Sequence, residues 1–209
     1  MSSVNAHLNR ILDRVMHIIA DEVLNCSSLT STYPGIGDLH PAVGREGHGQ
    51  SLLFAGLRAS GYSTFAEANY FAPASNSRQI DLALWLPDIQ LWLYLEVKPC
   101  GPYYGYQGVL GDAHKLIDDR PVDRRDWLRG ILAYGFRDPV KERDGFPKKY
   151  SEITAELASL GFREIGTRTR SLEGTSYCYV QAGLWVVGEH ALSGETFASE
   201  GGVGVAGGS

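Results

Sequence analysis

Asp81, Glu96 and Lys98 stand out for residue type and spacing. All three fall in one stretch, RQIDLALWLPDIQLWLYLEVKPCG, from Arg78 to Gly101. Two carboxylates offer oxygen ligands to a hard divalent cation such as Mg²⁺ or Mn²⁺. A lysine beside them adds a mobile point charge. Such a group can lower the pKa of a bound water and neutralise charge on a phosphoryl group in transfer.

Whether they meet depends on register. A hairpin with strands over 79–86 and 91–98, turning at Asp88-Ile89, pairs Pro87 with Gln90. Carried along the strands, the same register sets Asp81 opposite Glu96, with Cβ atoms about 5 Å apart. Asp88 is then a turn residue, and Pro87-Asp88 lies far from Glu96. Alternation supports the register. One face carries Asp81, Ala83, Trp85, Trp92, Tyr94, Glu96 and Lys98, and the other carries Ile80, Leu82, Leu84, Leu86, Leu91, Leu93, Leu95 and Val97. The aliphatic face must be core, and a one-residue slip would expose it.

The elements that position this hairpin follow from pattern. Apolar residues at Val4, Leu8, Ile11, Leu12, Val15, Ile18, Ile19 and Val23 predict a helix over 4–24 with one buried stripe. Residues 27–44 read as a turn-rich connection. A second helix is expected over about 44–60, stopping at Gly61. TFAEANYF (64–71) reads as a strand. PCGPYYGYQG reads as a loop, and its glycines, with Gly108 and Gly111, as ordinary loop. GDAHKLIDD reads as a helix start with Asp112 as N-cap. RGILAYGF (129–136) is a buried-type strand, 151–160 a helix ended by Gly161, and FREIGTRTR with TSYCYVQAGLWVVG a late strand pair. The Gly-rich segment 191–209 reads as a flexible tail.

Ile80-Asp81 followed by Glu96-Val97-Lys98 on adjacent strands, after a helix and an earlier strand, resembles the PD-(D/E)xK nuclease superfamily. The resemblance covers about residues 44–136, with Ile80 standing where the family's name has proline. It implies an α/β, restriction-endonuclease-like mixed central sheet of four or five strands flanked by helices. An N-terminal helix and a late β pair are added, making one nuclease-like domain over 1–190. It implies Asp81 and Glu96 as ligands to Mg²⁺ or Mn²⁺, the Val97 carbonyl as a third, and Lys98 orienting or activating the attacking water. Many members add an acid from the first helix, which matches Glu46, and Glu67 is the competing acid. Gln107 and Lys115 are the nearest matches to a polar residue some members carry on the following helix. The activity implied is Mg²⁺-dependent hydrolysis of DNA phosphodiesters, and a homodimer is compatible with it. The alternative is a non-catalytic nuclease-like subunit that binds nucleic acid or protein.

Composition sets bounds. The chain has 209 residues, 44% hydrophobic and 21% charged, which suits one globular domain. Its apolar runs are short for a membrane span. Arg10, Asp13 and Arg14 fall where a signal peptide needs an apolar block. Cys26, Cys100 and Cys178 lack CxxC spacing, which fits a reducing cytoplasm. A net charge of −5 weighs against nucleic acid. Residues 115–149 weigh the other way, with ten of the 19 basic side chains against seven acids, Arg124 and Arg125 among the candidate substrate contacts. The competing readings are a solvated, salt-bridged face for the charges, packing for Trp85, Trp92 and Tyr94, and surface positions for His40, His48 and His114.

Overall fold

The computed structural model describes residues 3–32, 46–69, 79–100, 107–118, 127–137, 146–173 and 179–188. The helices there are α1 (Ser3–Thr32), α2 (Glu46–Ala59), α3 (Gln107–Asp118) and α4 (Phe146–Ser159). The strands are β1 (Ser63–Asn69), β2 (Gln79–Leu86), β3 (Leu91–Pro99), β4 (Trp127–Arg137), β5 (Arg163–Ser171) and β6 (Tyr179–Val187). They form one mixed sheet in the order β1-β2-β3-β4-β6-β5, antiparallel throughout except for the parallel pair β3-β4. The chain passes between those parallel strands through α3, as a parallel pair requires a crossover.

The sheet is buried on both faces. The α1 stripe of Leu8, Ile11, Leu12, Val15 and Ile19 packs with Leu53 and Leu57 of α2 over Leu82, Leu84, Leu93, Leu95 and Val97. On the other face, Val109, Ala113 and Leu116 of α3 and Ile153 and Leu157 of α4 pack over Tyr94, Ile131, Ala133 and Trp185. Each aliphatic side chain so buried contributes about 1.5–3 kcal/mol. Both α2 and α4 end in the same way. Tyr62 N–H donates to the Leu57 carbonyl and Phe162 N–H to that of Leu157, across left-handed Gly61 (φ 89°) and Gly161 (φ 85°). Among the described residues, no helix is long and apolar enough to cross a membrane.

Several expectations need correction. α1 runs through the first part of the segment read as a connection, because no proline or glycine interrupts the chain between residue 20 and Pro34. The sheet has six strands rather than four or five. The late pair extends the central sheet, since β6 lies against β4 and buries Trp185 beneath α4. α4 begins at Phe146, five residues earlier than expected. α3 begins at Gln107, so Gly108 and Gly111 are helical and Asp112 is mid-helix rather than an N-cap. The tail over 191–209 lies outside the described residues, as do Gly101 and Gly105.

Candidate functional site

The hairpin has the register that its alternation demands. Cα partners run from Leu86–Leu91 to Leu82–Leu95, and the regular pairing stops there, one step short of Asp81 and Glu96. Asp88 sits in a 3₁₀ turn over Pro87–Ile89 at the opposite end, 77% exposed, with its Oδ2 3.8 Å from His7 Nε2. One residue departs from the alternation. Ile80 packs with Tyr94 and Val109 on the α3 face, not in the aliphatic row. The β1–β2 pairing skips Glu67, whose φ is 47°, so the pleat is interrupted beside Asp81 and Ile80 can turn to the other side.

The interruption gives Asp81 an unusual contact. Its Oδ2 accepts a 2.7 Å hydrogen bond from the backbone N–H of Val97. The carboxylate is thereby held between the strands, against Glu96-Val97-Lys98. Glu96 is 2% exposed, on the face that α3 covers. The Lys115 ammonium, on α3, donates to Glu96 Oε1 and, at 3.0 Å, to the Gln79 carbonyl. Lys98 is two residues further along β3 on the same face. Its Nζ lies 2.9 Å from Asp112 Oδ2, one helical turn before Lys115. The charges are therefore crossed: the strand's acid meets the helix's base, and the strand's base meets the helix's acid.

Burial dominates the electrostatics. Desolvation raises the Glu96 pKa from an ordinary 4.5 to about 8, aided by the nearby charges of Asp81 and Asp112 and opposed by Lys115. A carboxylate in that position requires a proton or a cation nearby. α3 is held at its far end as well. The buried Arg129 guanidinium on β4 donates to the Leu116 carbonyl, which has no partner within a helix that ends two residues later.

As a metal centre, the donor set has the right chemistry: carboxylate oxygens, mostly buried, with an excess of negative charge that a hard cation would offset. Among the described residues, no three His, Cys, Asp or Glu side chains are grouped closely enough to hold a metal on their own. Asp81 and Glu96 fit as a pair that needs further oxygen from backbone, solvent or substrate, as is usual for Mg²⁺.

The structure thus sets Asp81 against the Val97 N–H beside Glu96, pairs Glu96 with Lys115, and pairs Lys98 with Asp112. Glu67 lies on β1, exposed. Glu46 opens α2 and Gln107 opens α3, and their side chains lie outside the described set, as do Arg124 and Arg125 altogether. The basic stretch 115–149 loses two members as surface charges, because Lys115 bonds Glu96 and Arg129 caps α3. Trp85, Trp92, Tyr94 and Trp127 stack side by side across three strands, with centroids 4.7–6.0 Å apart, and Phe65 of β1 flanks them. His48 is a surface residue 3.3 Å from Glu22, and His40 lies outside the described residues. Asp112 and Arg129 are the site residues that sequence pattern alone passes over. The signal for Asp112 was the pair Asp112 and Lys115, an acid followed by a base in the same order as Glu96 and Lys98.

No protein-family model matches the chain, no curated protein matches it, and no solved structure matches it.

Proposed function

We propose that the chain is a metal-dependent nuclease that hydrolyses DNA phosphodiesters at the Asp81, Glu96, Lys98 site. The observation that carries this proposal is the hydrogen bond from Val97 N–H to Asp81 Oδ2, which sets Asp81 against the strand that carries Glu96 and Lys98. The connectivity supports it. A helix, three antiparallel strands, a crossover helix and a parallel fourth strand run from α2 to β4, as expected of a restriction-endonuclease-like core.

In this proposal Asp81 and Glu96 hold Mg²⁺ or Mn²⁺. A bound divalent ion supplies Lewis-acid polarisation of a phosphoryl oxygen and a lowered water pKa. The chain's own groups do the rest. Val97 N–H fixes the Asp81 carboxylate, so its orientation is set before substrate arrives. Glu96 is shielded from water, which strengthens its pull on any cation. The Lys98 ammonium, on a flexible stem, can turn towards the attacking water or the phosphoryl oxygens. Lys115 holds Glu96 when no other cation is near. Cys26 and Cys100 carry thiols outside any disulfide, which fits a cytoplasmic setting.

A second reading, a nuclease-like binding subunit, is favoured by the same ion pairs, because Lys98 and Lys115 already neutralise two of the acids. Incubation with plasmid, linear duplex and single-stranded DNA, and with RNA, in Mg²⁺, Mn²⁺ or EDTA separates the two. Cleavage with metal and none with EDTA is the expected result. Binding without cleavage in either metal would leave the binding subunit.

A further inference from the structure

We propose that Lys115 competes with the divalent ion for Glu96, so that metal is held there only when the Lys115 ammonium is displaced. The proposal rests on the metal site of the nuclease reading and adds the residue that sets its affinity. Lys115 Nζ donates to Glu96 Oε1 and, at 3.0 Å, to the carbonyl of Gln79, two residues before Asp81 on β2. A carboxylate oxygen and a backbone carbonyl are also the oxygen ligands that a hard cation takes. The ammonium thus draws on the same kind of donors as the metal.

The two partners differ in their access to water. The Glu96 side chain is 2% exposed and that of Lys115 is 28% exposed. Glu96 cannot turn to solvent for a partner. Lys115, on a flexible four-carbon stem, can withdraw its ammonium into water. The helix need not move with it, because Val109, Ala113 and Leu116 are buried against the sheet and Arg129 holds the Leu116 carbonyl. Charge also favours exchange over sharing. When ionised, Asp81, Glu96 and Asp112 bring three negative charges, and Lys98 and Lys115 two positive ones. With both lysines in place, a divalent ion would leave the group with excess positive charge in a partly dry site. With Lys115 withdrawn, the charges balance.

Titration with Mn²⁺, followed by the electron paramagnetic resonance of the free ion, tests this in wild type and Lys115→Met. The variant keeps the stem without the charge. It is expected to bind Mn²⁺ about 10–100-fold more tightly than wild type, the range covered by a hydrogen bond to a charged group. Equal or weaker binding by Lys115→Met overturns the competition, and so does the absence of Mn²⁺ binding in both proteins. A second measurement needs no substitution and stands if the variant does not fold. In 15N spectra of the wild-type lysine ammonium groups, the Lys115 signal should move on addition of Mg²⁺ towards that of a solvated lysine. A Lys115 signal unchanged at saturating Mg²⁺ overturns the displacement. Neither readout uses cleavage. A protein that cuts no DNA but binds Mn²⁺ more tightly once the Lys115 charge is removed would lose the nuclease reading and keep the competition. One that cuts DNA with a metal affinity unmoved by Lys115→Met would do the reverse.

Discussion

The Lys115 ammonium on α3 donates to Glu96 Oε1 on β3, a carboxylate almost wholly removed from water. The ion pair joins the crossover helix to the strand that carries the candidate site. Truncating one partner of a buried pair leaves the other unpaired at a cost of about 3–5 kcal/mol. Part of that cost is avoided here because Glu96 can take up a proton.

Proton uptake gives a pH dependence with a definite sign. Glu96 holds its proton more tightly in the folded chain, at about 8, than at its ordinary 4.5. Its contribution to stability is fully present below the unfolded value and is lost as pH rises through the folded one. Between pH 4.5 and about 8, the melting temperature of the metal-free protein should fall relative to Glu96→Gln. Parallel melting profiles for the two proteins would show that Glu96 titrates normally.

Metal should reverse that loss. Millimolar Mg²⁺ or Mn²⁺ should raise the melting temperature above neutral pH, by about 2.7 kcal/mol of stability at a hundredfold excess over Kd. Asp81→Asn keeps an oxygen for the Val97 N–H but removes a charge, so it should fold and lose the metal response. An equal shift in both proteins would place the metal elsewhere.

Arg129 is expected to act through α3. Arg129→Met keeps much of the buried stem but leaves the Leu116 carbonyl without its donor, at about 1–3 kcal/mol in urea unfolding. A change within about 0.5 kcal/mol, the range of ordinary surface substitutions, would mean that the cap contributes little.

Arg124 and Arg125 remain candidate phosphate contacts from the sequence. Replacing both by Ala should weaken binding to all DNA sequences alike and reduce the salt slope by about 1 per residue. An unchanged slope would return them to the solvated surface.

Much of the site was legible because a strand's period is two. The aliphatic rows Leu82-Leu84-Leu86 and Leu91-Leu93-Leu95 admit one register, the one found from Leu86–Leu91 to Leu82–Leu95. Ile80 escaped the same logic because the irregularity beside it lies on another strand, at Glu67. Asp112 was misplaced because Gly108 and Gly111 lower helix propensity, while burial of Val109, Ala113 and Leu116 overrides it. The position of β6 beside β4 was not legible at all. It depends on the non-local packing of Trp185 under Tyr150, which no local pattern encodes.

The most direct measurement is cleavage of DNA by wild type and Lys98→Ala, each checked by thermal melting. Lys98 lies on β3 away from the aliphatic row, so the variant should fold and still bind DNA, melting below wild type because Asp112 loses its counter-charge. Its cleavage rate with Mg²⁺ should fall by orders of magnitude, since a charge set against the transition state in a partly dry site contributes several kcal/mol. A Lys98→Ala protein that folds and cuts at the wild-type rate would contradict the assignment of this site.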